Sequence, residues 1–184
     1  MKTRKFLATA ILALTFGFAS FAQKTVMVGG AAMYPNKNII ENAVNSKDHT
    51  TLVAAVKAAD LVETLKGKGP FTVFAPTNEA FDKLPKGTVE TLLKPENKKM
   101  LQNILTYHVV AGKWSAADIA KAIKAGKGKA TIKAVNGGTL TAWMEGKNLY
   151  ITDEKGNKAK VTIADVNQSN GVIHVIDAVL LPKK

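Results

Sequence analysis

The sequence predicts an α+β domain, and three observations carry that prediction. Apolar residues recur at spacings of three and four through the first half of the chain, as on buried helix faces. Beyond Gly128 the pattern changes to short β-rich segments separated by Gly and Asn turns. A last segment, Gly171 to Leu181, is apolar on both faces, as in a strand buried on each side. Helices first and strands later argue for segregated helical and sheet layers.

The chain opens with the bases Lys2, Arg4 and Lys5, an apolar run from Phe6 to Phe21, and the small-residue pattern Ser20-Phe21-Ala22. This layout predicts a signal peptide over residues 1–22, cleaved between Ala22 and Gln23. The run is shorter than the roughly 20 residues that span a bilayer, so no transmembrane anchor is expected. No cysteine follows it, so lipid attachment has no acceptor. Removing the signal leaves 162 of the 184 residues, enough for one domain with one substantial core. With no cysteine anywhere, disulfides and thiolate metal sites are excluded, and packing must supply the stability.

Residues 23–38 read as an N-terminal arm whose Met33 and Tyr34 either fold back or dock a partner. Helices are expected from Ile39 through Val44 and from Leu52 to Leu65, ended by Gly67-Lys68-Gly69-Pro70. Phe71 to Ala75 is a short buried strand, and Thr77 caps a helix through Phe81. Helices follow around Thr88 to Leu93 and Pro95 to Tyr107, the second with the stripe Met100, Leu101, Ile104 and Leu105. Ser115 to Asp118 resembles a capping box, and its helix runs to a stop near Gly126. Strands over 131–135, 139–144, 149–152 and 159–163 form a meander of antiparallel hairpins.

Three segments together carry a resemblance: Gly69 to Phe81 (GPFTVFAPTNEAF), Tyr107-His108-Val109-Val110, and Asn170 to Asp177 (NGVIHVID). In wording, order and separation they resemble the fasciclin domain, over residues 39–182, and suggest a bacterial secreted single-domain member. The resemblance implies an antiparallel β-sandwich or wedge-shaped core flanked by several α-helices, used in extracellular adhesion and matrix proteins without catalysis. In animal members the neighbourhood of the tyrosine–histidine motif, here Tyr107 and His108, is linked to integrin binding. The same two residues also suit buried polar groups satisfied inside a core. An aspartate followed by isoleucine in animal members corresponds to Asp165 and Val166, a partial match that reads equally as a surface turn. Asn170-Gly171 reads as a tight turn, and Asp177 as a structural hydrogen-bond acceptor.

The chemistry-bearing residues support no reaction. Ser46, Ser115 and Ser169 lie in caps or polar turns, outside any nucleophile elbow. His49, His108 and His174 are too far apart in sequence for a helical metal motif, and the Gly-Lys turns lack a phosphate loop's Lys-Ser/Thr. No catalytic residue, metal or cofactor is therefore expected. The 26 Lys and Arg exceed the 14 Asp and Glu, and without the leader's three bases the excess is nine. That balance suits either simple solubility or a polyanionic partner. Trp114, Trp143 and Tyr150 are too dispersed for a stacking track, which argues against nucleic acid. The lysines Lys121, Lys124, Lys127, Lys129 and Lys133 instead suggest a basic edge for acidic polysaccharide.

The expectation is thus a non-enzymatic adhesion or matrix module, secreted, on the cell surface or in the periplasm, that binds a surface or matrix protein or an acidic polysaccharide. The alternatives are a self-associating structural surface protein, a homo-oligomer, and a carrier of a small apolar ligand.

Overall fold

The structure is a computed structural model that describes residues 25–183. The expected signal peptide lies outside the described residues. Among them, no helix is long and apolar enough to cross a membrane.

The arm is a hairpin of β1 (Val26–Val28) and β2 (Ala31–Met33), with Val28 and Met33 buried against the domain. Helices α1 (Ile39–Ala43), α2 (Thr50–Ala58) and α3 (Val62–Lys66) follow. Asn38 starts α1 through a capping box: its side chain accepts from the Glu41 N–H at 2.9 Å, and Glu41 accepts from the Asn38 N–H at 2.9 Å. Strand β3 (Phe71–Pro76) leads through the Thr77 cap into α4 (Asn78–Asp82), then α5 (Thr88–Leu92) and α6 (Lys98–Tyr107). After β4 (Val109–Ala111), Ser115 and Asp118 close the expected capping box of α7 (Ala116–Ala125). The rest is sheet: β5 (Lys129–Lys133), β6 (Thr139–Glu145), β7 (Asn148–Thr152), β8 (Lys158–Gln168) and β9 (Gly171–Ile176).

Seven strands join in the order β4-β3-β9-β8-β7-β6-β5. The two ends of this row approach each other, for Val110 bridges Ala134 and the Val135 N–H donates to the Val109 carbonyl at 2.8 Å. The sheet therefore curls nearly into a barrel. One core lies between helices α1 to α6 and β3, β8 and β9; the other lies between α7 and the meander, where Ile119 and Ile123 meet Ile132, Leu140 and Ile151.

Strand β9 is central, fully buried, parallel to β3 and antiparallel to β8. It stops at Ile176, earlier than the apolar pattern suggests, because the chain turns there while Val179 and Leu180 stay buried in a loop. Met100 does not belong to the buried stripe of α6: it is 57% exposed, and Leu101 and Leu105 supply that face. Strand β8 runs through Gln168 instead of ending at Ile163, with register shifts that place Asp165 at φ +58° in a bulge.

Gly171 has a different role from the turn geometry expected of it. A Cβ there would lie 2.1 Å from the Phe71 carbonyl oxygen, so glycine is required by the close approach of β3 and not by a positive φ. Gly171→Ala is expected to destabilise the domain by about 3 kcal/mol, read as a lowered urea midpoint, since rigid backbone occupies the space. An unchanged midpoint would show that the β3–β9 contact yields easily.

Candidate functional site

The residues expected from motif resemblance turn inward. Tyr107 is fully buried at the end of α6, where its hydroxyl donates to the Thr139 carbonyl at 2.7 Å and accepts from the Glu154 N–H at 3.0 Å. Burial pushes its phenol up to about 12, so it stays protonated. His108 is 3% exposed and bonds through both ring nitrogens: Nδ1 lies 2.8 Å from the Ile104 carbonyl, and Nε2 accepts from the Leu180 N–H at 3.0 Å. That pattern requires the neutral Nδ1–H tautomer. Tyr107 and His108 thus join α6 to the meander and to the C-terminal segment.

Asp165 is half-buried at the bulge, and Val166 is buried. The Asp165 carboxylate accepts from the Ala116 N–H at 2.8 Å, at the first residue of α7. Its own N–H donates to His174 Nδ1 at 3.3 Å, while His174 Nε2 donates to the Trp114 carbonyl at 2.8 Å. This chain of bonds fixes α7 on the sheet. In the arm, Met33 is buried, whereas Tyr34 is 44% exposed beneath the Lys37 ammonium.

Burial pushes all three imidazoles below their ordinary pKa, His108 to about 4. A histidine that loses basicity on folding leaves the unfolded chain binding more protons between the two pKa values, so stability falls as pH drops from 6.5 toward 4. From His108 alone, lowering pH from 7 to 5 is expected to remove about 2 kcal/mol of stability. His49 and His174 act in the same direction. Urea unfolding at the two pH values checks this; equal stability would mean that the native protein protonates His108 freely.

All five expected lysines are exposed, but they fall on two layers. Lys121 and Lys124 lie on α7, whose opposite side carries the buried Ile119 and Ile123. Lys127 sits in the following turn at φ +54°. Lys129 and Lys133 point the other way, on the outer face of β5, because the alternate residues Ala130 and Ile132 are buried against the second core.

That outer face continues across the meander. Register places Lys129 opposite Trp143, Trp143 opposite Tyr150, and Tyr150 opposite Lys160, all on one face. The neighbouring row is Thr131, Thr141, Thr152 and Lys158. The rings of Trp143 and Tyr150 stack with centroids 4.8 Å apart and planes 17° apart, and Lys158 Nζ lies 5.1 Å above the Trp143 ring. Trp143 Nε1 donates to Thr152 Oγ1 at 2.9 Å, which fixes the indole. Desolvation and then the nearby Glu145 carboxylate raise the Tyr150 pKa, so its hydroxyl remains a neutral donor and acceptor. Among the described residues the lysines in ion pairs are Lys66, Lys83 and Lys98, which leaves Lys129, Lys133, Lys158 and Lys160 available to an outside anion.

This face joins two aromatics that sequence reading treats as dispersed. The signal was present in the hairpin: β6 and β7 meet through the two-residue turn Gly146-Lys147, so Trp143 and Tyr150, equidistant from it, must pair.

The sequence model described as "Fasciclin domain" matches residues 47–182. The chain belongs to the fasciclin domain family. A relative named Protein sll1483, from Synechocystis sp., is 50% identical over 160 residues, covering 87% of this chain and 82% of its own length. The cell surface glycolipoprotein MPB83 of Mycobacterium bovis is 34% identical over 166 residues, covering 88% of this chain and 68% of that protein. The solved FAS1 domain pair of the insect cell adhesion molecule Fasciclin I superposes with a TM-score of 0.71 at 19% identity, over 80% of this chain and 51% of that one. That likeness establishes the α+β fasciclin fold for this chain.

Proposed function

We propose that this fasciclin domain is an exported, non-enzymatic adhesion module of the cell surface or its surroundings, and that it holds acidic polysaccharide on the outer face of β5 to β8. The row Lys129–Trp143–Tyr150–Lys160 carries this reading. Each ring of the stacked pair covers one face of the other, and a ring face turned away from the stack offers an apolar surface to the C–H face of a sugar ring. Threonine hydroxyls beside it can exchange hydrogen bonds with sugar hydroxyls, and unpaired ammonium groups meet carboxylates or sulfates. Glu145 stands at the Tyr150 end of the platform, so the anionic substituents belong toward Lys129 and Lys158. The surplus of bases over acids assists encounter with such a polymer, in a salt-dependent way.

The signal-like pattern of the first 22 residues and the names of two similar proteins, one a cell surface glycolipoprotein and one a cell adhesion molecule, support this reading of the location. The proposal keeps Lys129 and Lys133 from the basic edge expected in sequence and adds Lys158 and Lys160. It leaves Lys121, Lys124 and Lys127 as solubilising charge on another face. Tyr107, His108, Asp165 and Val166 support the fold behind the surface and do not touch the polymer.

Retention on immobilised acidic polysaccharide at low and physiological salt tests this. Trp143→Ala, and separately Lys129→Gln with Lys158→Gln, should each weaken binding roughly tenfold, a change of about 1.4 kcal/mol. Lys121→Gln with Lys124→Gln should bind as the parent does. If the α7 pair loses binding while the sheet variants keep it, the face is wrongly assigned; if an unrelated protein of equal charge binds as well, the glycan reading fails.

A further inference from the structure

The outer face of β5 to β8 carries its charges in a fixed order along the row Lys129, Trp143, Tyr150 and Lys160. The Trp143 side is cationic: Lys129 stands opposite Trp143, and Lys158 Nζ lies 5.1 Å above its ring. The Tyr150 side is not. Glu145 is two residues beyond Trp143 on β6, so it shares that face; it is exposed and lies against the Tyr150 hydroxyl. Among the described residues it takes part in no ion pair. Asp177 adds a second carboxylate near Tyr150, with one oxygen accepting from the Lys160 N–H at 2.8 Å and the other 3.9 Å from Lys83 Nζ. Glu154, at the rim beside Thr139, is occupied by the Thr139 N–H and hydroxyl and by the Lys183 N–H.

Neighbouring strands are about 4.8 Å apart, close to the length of one sugar residue, so a glycan lying across the strands sets successive sugars on successive columns. The sugar at Trp143 meets Lys129 and Lys158, and an anionic substituent there gains two ammonium partners. The next sugar, at Tyr150, meets the Glu145 carboxylate. A second anion at that place faces a like charge at close range, which opposes binding. A neutral sugar does the opposite: its hydroxyls donate to Glu145 in charge-assisted bonds and exchange bonds with the Tyr150 hydroxyl. The third sugar reaches Lys160, where an anion is accepted again.

We infer that this face selects polysaccharides in which acidic and neutral sugars alternate over those in which every sugar is acidic, with Glu145 the residue that discriminates. The inference rests on the glycan reading of the face and asks more of it, because the simple attraction of a basic domain favours the more highly charged polymer. The expected order of binding is therefore the reverse of the one that net charge gives.

Calorimetric titration at physiological salt tests this with two polymers of similar length: unsulfated chondroitin, whose acidic sugars alternate with neutral ones, and polygalacturonate, in which every sugar is acidic. The parent is expected to bind chondroitin roughly threefold more tightly, or better. Glu145→Gln, at an exposed strand end, should tighten polygalacturonate by a similar factor and leave chondroitin unchanged or weaker, so that the preference closes. Glu90→Gln, the same change of charge on the exposed side of α5, should leave the preference intact. If the parent binds polygalacturonate as tightly as chondroitin, or if Glu145→Gln tightens both polymers equally, the selection is overturned while the glycan reading stands. If neither polymer binds beyond an unrelated protein of equal charge, the reading of the face falls and this inference with it.

Discussion

The parallel pairing of β3 with β9 is the contact on which the rest of the structure depends. It joins segments about 100 residues apart, and the corner at Asn170 starts it. The Asn170 carbonyl accepts from the Phe71 N–H at 3.0 Å, and its side chain accepts from the Ile39 N–H at 3.0 Å. The same side chain donates to the Leu65 and Gly67 carbonyls at 2.8 and 2.9 Å. One buried amide thereby holds the start of α1, the end of α3 and both central strands. With both side-chain N–H groups and the side-chain oxygen engaged inside, replacing it would strand several backbone groups at once. Once β9 is fixed, β8 pairs on its other side and carries the meander with it.

Around that centre, polar side chains that might have offered chemistry are spent on joining layers. His108 ties α6 to the C-terminal segment, His174 and Asp165 tie α7 to the bulge of β8, and Tyr107 ties α6 to the β5–β6 connection and the turn after β7. Asp177, just past β9, accepts from the Lys160 N–H at 2.8 Å. These contacts explain how a chain without disulfides closes its sheet. They also explain the surface: with histidines and Tyr107 inside, the outer side of the meander is left mainly with threonines, lysines and one aromatic pair, with Glu145 beside Tyr150. The fold supplies a flat, rigid support, and the alternation of the strands decides what it displays.

Local features were legible in the sequence because their causes are local. Thr77 and Ser115 cap helices within three residues, and the Gly146-Lys147 turn sets its own hairpin. The resemblance located the buried strands through Phe71 to Ala75 and Val172 to Ile176. What escaped were consequences of distant contacts. Nothing near Gly171 announces that Phe71 will press on it, and nothing in the polar stretch Asp165 to Gln168 shows that β8 continues through a bulge. Met100 fits a helical stripe by spacing but faces solvent, because α6 buries a narrower face. The lysine run looked continuous in one dimension, yet α7 and β5 point their charges to opposite sides. The candidate site needed the strand register before its four columns could be seen as one surface.

The most direct test of the account is a map of amide and indole chemical shifts while a short acidic oligosaccharide is added at low salt. If the outer face of the meander binds glycan, the largest changes fall on the outer-facing residues of β5 to β8, with the Trp143 Nε1–H among the most affected, and α7 is left quiet. Largest changes on α7, or a weak uniform response over every exposed lysine, would contradict it and reduce the positive charge to a solubility feature.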